Sequence, residues 1–151
     1  MNPRFLVAVA AAFLFASAPA EAASDETALL NTLGYTTGQS LLLTHMAIGT
    51  LADAFKAKTY RSGEATSFVA TYLSVTQGMK EQMQKLIEAK TLSKEDAQFI
   101  ENTVKVLDLV LKEGDALKDF LSSGDDDDDQ AYDKARKKAK REIKSLLGMK
   151  D

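Results

Sequence analysis

The sequence predicts an all-α protein: an up-down antiparallel four-helix bundle with a short N-terminal helical extension, placed after a cleaved signal peptide. Three observations carry this. Apolar residues recur at spacings of three and four through four segments, and no segment sustains strand alternation. Both prolines, Pro3 and Pro19, precede residue 23, so none interrupts a helix beyond it. The breaks, "RSG" near Ser62, "TLS" near Leu92 and "SSGDD" near Gly124, are short, and short connections favour antiparallel neighbours.

The N-terminus reads as a targeting segment. Arg4 supplies a positive start, and Phe5 to Ala18 form an uncharged apolar run. Small residues follow, and a cut after Ala22 satisfies an A-x-A pattern through Ala20 and Ala22. The run falls short of the ~20 residues that a membrane-spanning helix needs. This gives a signal peptide over residues 1–22, one helical domain over 23–151, and no transmembrane segment after cleavage. The expected location is the periplasm or the exterior of a bacterial cell. Neither Asn31 nor Asn102 begins a glycosylation sequon, which agrees with a bacterial source.

The first helical segment spans about Asp25 to Tyr60, with Leu30, Leu33, Thr37, Leu41, Thr44, Ile48, Leu51 and Phe55 on one stripe. Gly34 and Gly38 are where a break would shorten it, so a short helix to about Leu33 and a longer one from about Thr36 are expected. The second spans about Glu64 to Ala89, on Phe68, Tyr72, Val75, Met79, Met83 and Leu86. The third starts at Ser93, where "SKED" sets a serine N-cap before Asp96. Its stripe runs from Ile100 through Leu107 and Leu117 to Leu121, with Gly114 inviting a close helix contact. The fourth lies between the aspartates and Gly148, with a narrow stripe of Tyr132, Ala135, Ala139, Ile143, Leu146 and Leu147.

Composition removes many functions. The chain has no cysteine, one histidine and a net charge of −3. Attached haem, structural zinc and disulfide scaffolds all need residues it lacks. It has no Glu-x-x-His pair for a di-iron site, no G-x-S-x-G turn and no phosphate-binding glycine loop. No catalytic set can be assembled, so the chain reads as a non-enzyme without a cofactor. Neither charge nor aromatic interleaving suggests nucleic acid.

Several residues stand out nonetheless. His45 shares a helix edge with Gly34, Gly38, Gly49 and Ala52, an edge nearly free of side-chain bulk. Either a neighbouring helix approaches closely there, or a ligand pocket lies beside His45, lined by Tyr72, Met79 and Met83. Thioethers plus one imidazole would suit a soft metal, but methionine at i and i+4 is ordinary core filling, so no metal is assigned. "LLLTHMAI" is apolar nearly all round, with Leu42, Leu43 and Met46 off the main stripe. Either the chain's own N-terminal helix or a protein partner covers that face.

The stretch from Ser122 to Gly148 sets Asp125 to Asp129 before a cationic block that includes Arg136, Lys137, Lys140 and Arg141. The acids lack the alternate spacing of a calcium loop, and Arg136 occupies the place of the closing glutamate. Gly124 reads as a helix stop, the aspartates as N-cap and first turn, and the cations as the dipole's opposite end. The cationic face could touch anionic envelope components weakly. The leading expectation is a non-enzymatic protein-interaction or self-associating module of the cell envelope. The alternative is a small-molecule binding protein with a bundle cavity beside His45.

Overall fold

A computed structural model describes the backbone of residues 18–149 and the side chains of residues 28–149. Four helices account for it: α1 (Ala18–Lys56), α2 (Ser62–Glu88), α3 (Lys94–Ser123) and α4 (Asp126–Leu146). No strand occurs among the described residues, so the class is all-α. The N-terminal residues 1–17, with Arg4 and most of the apolar run from Phe5 to Ala18, lie outside the described residues. Residues 18–22 are already helical, the start of α1.

One expectation fails. α1 continues through Gly34 and Gly38 without a break, so the stretch to Leu33 belongs to the same helix as the stretch from Thr36. A helical glycine costs only about 1 kcal/mol against alanine, and packing can repay that. At Gly38 it does: a Cβ there would collide with the side chain of Leu147, the C-cap of α4.

The chain divides into two compact units, Met1–Thr36 and Thr37–Asp151. In the first, the described side chains belong to α1 alone. The Thr32 hydroxyl donates to the Ala28 carbonyl at 2.8 Å, and Leu29 and Tyr35 are exposed. The second unit holds the rest of α1 with α2, α3 and α4.

Local chemistry sets the helix ends. The Arg61 N–H donates to Glu64 Oε2 at 3.1 Å, so α2 starts at Ser62, slightly earlier than its apolar pattern suggests. Ser93 caps α3 as expected, its Oγ accepting from the Asp96 N–H at 3.1 Å. Gly124 ends α3 at φ +70°, a left-handed conformation that suits glycine, and its N–H donates to the Phe120 carbonyl at 2.8 Å. At α4 the aspartates act differently from expectation. Asp125 holds the N-cap position, but its side chain makes no capping bond. Ser123 instead holds the N-cap backbone: its Oγ accepts from the Asp125 N–H at 3.2 Å and donates to Asp128 Oδ2 at 2.5 Å. Asp126 to Asp129 fill the first turn, where the helix dipole favours negative charge.

Within the second unit, contacts give the helix directions. Ser62 Oγ reaches the Leu121 carbonyl at 2.6 Å, and Lys80 pairs with Asp108 at 2.6 Å, so α2 and α3 run antiparallel. Gly114 of α3 receives the Leu73 side chain of α2, the close contact its position suggested. Lys56 pairs with Asp129 at 2.5 Å, and Gly38 meets Leu147, so α1 and α4 run antiparallel. Phe55 and Phe120 meet edge to face at 5.4 Å between α1 and α3. The core takes Leu41 and Ile48 from α1, Val69 and Met83 from α2, Leu107 and Leu117 from α3, and Ile143 from α4. Full burial of each large side chain contributes roughly 1.5–3 kcal/mol.

Candidate functional site

The most unusual chemistry lies in the interior. Glu113 is 0% exposed and His45 5% exposed. His45 Nδ1 and Glu113 Oε2 lie 2.8 Å apart, a hydrogen bond that bridges α1 and α3. The helices place them there by simple spacing. His45 lies one turn after Leu41 and one before Ile48, on the inner face of α1. Glu113 lies between Val110 and Leu117 on the inner stripe of α3.

Two buried oxygens beside this pair have no protein partner: Glu113 Oε1 and the Tyr132 hydroxyl of α4. Burial pushes the Glu113 carboxyl up from its ordinary range. The hydrogen bond to His45, then the charges of His45 and Arg136, pull it part of the way back. Burial likewise pushes the Tyr132 hydroxyl above the ordinary phenol range, with Arg136 opposing and Glu113 adding to the rise. Four groups from three helices thus share one electrostatic neighbourhood: His45, Glu113, Tyr132 and Arg136. A buried ion or neutral pair of this kind costs desolvation and fixes which side chains face each other.

Arg136 corrects an expectation. The sequence groups it with the outer cations, yet it is half-buried and lies over Gly49, where a Cβ would collide with its guanidinium. Its Nη1 stands 3.9 Å from Asp53 of α1. The glycine edge around His45 is therefore filled at two positions: Leu147, the C-cap of α4, lies over Gly38, and Arg136 of α4 lies over Gly49. Of the other residues expected around His45, Tyr72 and Met79 are half-buried on α2 and Met83 is buried there. Among the described residues no hydrogen bond, ion pair or ring contact joins them to His45. The described residues include no group of three or more His, Cys, Asp or Glu placed to hold a metal.

The outer face of α1 is the second feature. Leu43 is 65% exposed and Met46 56% exposed, while Leu42 is half-buried. Gln39, Leu43, Met46 and Thr50 share a face opposite the core, and all are exposed. The Thr50 hydroxyl is already satisfied by the Met46 carbonyl at 3.0 Å. Nothing among the described residues covers this face.

The outer face of α4 is the third. Lys137, Lys140 and Arg141 are exposed as expected. Lys137 lies 3.7 Å from Asp133, and Arg141 Nε donates to Glu142 at 3.1 Å, so part of this charge is balanced within the helix. No helix among the described residues is long and apolar enough to cross a membrane.

Sequence reasoning missed Glu113. Its signal was present, since a carboxylate midway between Val110 and Leu117 stands on a core position of α3. Comparison with protein-family models, with curated proteins and with solved structures finds no match to this chain.

Proposed function

We propose that this protein is an exported, non-enzymatic interaction module of the bacterial cell envelope. It folds as an up-down antiparallel four-helix bundle after signal-peptide cleavage near Ala22, and it works by self-association through the outer face of α1. The observation that carries the reading is the exposure of Leu43 and Met46, at 65% and 56%, on the face of α1 opposite its core. Contiguous exposed apolar surface marks contact sites on soluble proteins, and Leu43 and Met46 are neighbours one turn apart. Two such residues are too small for a stable interface, which buries about 800 Å² on each partner. The contact therefore extends beyond them along α1, with Gln39 and Thr50 on the same face, and pairing α1 with α1 of a second copy supplies the same residues from both sides.

The buried centre supports this role indirectly. A glutamate shared between α1 and α3, with α4 closed over it, fixes the rotation of α1 and hence which residues it turns outward. Export is supported by Arg4, the apolar run and the A-x-A pattern. The test is light scattering coupled to size exclusion on the chain from residue 23 onward. The wild type should form a concentration-dependent dimer, and Leu43→Asp/Met46→Asp should be monomeric with unchanged helicity. A wild type that stays monomeric at high micromolar concentration removes the reading.

A further inference from the structure

Away from α1, a groove of about 690 Å³ runs between α3 and α4. Its apolar wall consists of Phe99, Val106 and Leu109 from α3 and Leu146 from α4. Its rim carries three lysines, Lys105, Lys112 and Lys138. Two carboxylates also line it, but each is already engaged. Asp108 pairs with Lys80 at 2.6 Å, and Glu142 accepts from Arg141 at 3.1 Å. Lys105 bonds the neutral Asn102 amide oxygen at 3.3 Å. Lys112 and Lys138 form no ion pair among the described residues.

The groove is also polar along its length. The inner contacts pair Glu113 with Arg136's end of α4, while Phe99 and Leu146 line the groove together, so α3 and α4 run antiparallel. Lys112 is the last groove residue of α3 and Lys138 the first of α4. Antiparallel helices bring those two lysines to the same end. Phe99 and Leu146 lie at the other end. From Phe99 to Lys112 the helix advances about 20 Å at 1.5 Å per residue, the reach of a long alkyl chain.

We propose that this groove binds a free long-chain fatty acid, with its carboxylate between Lys112 and Lys138 and its alkyl chain toward Phe99 and Leu146. The volume lies within the range of about 300–1,000 Å³ typical of small-molecule sites. The cationic end supplies charge complementarity, and the apolar wall supplies a surface that a small inorganic anion would not use. The proposal is independent of self-association through α1, since it uses neither Leu43 nor Met46.

The test uses the chain from residue 23 onward and a fluorescent polyunsaturated fatty acid, cis-parinaric acid, titrated with and without palmitate. Saturable binding at one site per chain is expected, with displacement by palmitate at least tenfold more effective than by its uncharged methyl ester. Lys112→Glu/Lys138→Glu, both exposed positions, should weaken binding at least tenfold with helicity unchanged. Lys134→Glu/Lys137→Glu makes the same charge change elsewhere on α4 and should leave affinity within twofold. Three results would overturn the proposal: no saturable binding, equal displacement by the methyl ester, or equal losses in the two double variants. The last would indicate attraction to net charge rather than to this groove.

Discussion

Removing the Glu113 side chain is the sharpest perturbation of this interior. Glu113 is 0% exposed, and its Oε2 lies 2.8 Å from His45 Nδ1. In Glu113→Ala the imidazole of His45 stays in a low-dielectric core without its partner, and a gap opens beside Tyr132. Breaking a buried pair on one side costs about 3–5 kcal/mol. A domain has only about 5–15 kcal/mol of total stability, so the loss is a large part of the whole. Replacing both residues with leucine should behave differently. It removes the desolvation cost together with the bond and keeps the volume, so His45→Leu/Glu113→Leu should match the wild type or exceed it. Urea unfolding followed by circular dichroism gives the four corners of the cycle. The singles should each lose several kcal/mol while the double does not, a strongly non-additive result. If each single loses under about 1 kcal/mol, or the losses add, the pair does not organise the core and the reasoning is refuted.

Stability should also depend on pH through Glu113. Its folded pKa is raised above the ordinary 4.5, so the folded chain holds that proton more tightly. The associated stability is complete below pH 4.5 and is lost as pH rises through the folded value. The groups facing it are His45 from α1 and Arg136 and Tyr132 from α4. The stability of wild type minus that of Glu113→Gln should therefore decline as pH rises from acid toward neutral; a difference that stays flat, or rises, contradicts this. Gly114→Val should destabilise by about 1–3 kcal/mol, because its side chain must displace Leu73, and thermal melts will show it. Asp125→Asn/Asp126→Asn should shift stability by under about 0.5 kcal/mol, since both are exposed and Asp125 makes no capping bond. Ser93→Ala, which loses a formed cap, should cost about 1 kcal/mol, and urea midpoints will separate the two.

Much of the fold was legible because its determinants are local. Ser93 and Gly124 mark helix ends through their own backbone chemistry, and the stripes of α2, α3 and α4 follow from periodicity alone. The gap in side-chain bulk at Gly38, Gly49 and Ala52 was legible too, as an edge where something must come close. What filled it was not, because Leu147 and Arg136 arrive from more than 80 residues away by sequence number. The same limit explains the unbroken α1. Gly34 and Gly38 weaken a helix in isolation, and only packing by α4 shows that Gly38 is a contact site. Glu113 was missed for another reason: in a chain with 22 acidic residues, a carboxylate was read as surface. Its place on the core stripe of α3 outweighs its residue type, and that register was open to inspection.

Cross-linking tests most directly the proposal that the outer face of α1 meets a second copy. The chain has no cysteine, so a single introduced one reports without background. Met46→Cys, treated with a short bis-maleimide at the concentration where the wild type is dimeric, should give a covalent dimer in high yield. Lys137→Cys, also exposed on α4, should not. Comparable cross-linking at both positions, or none at Met46→Cys, would contradict the claim.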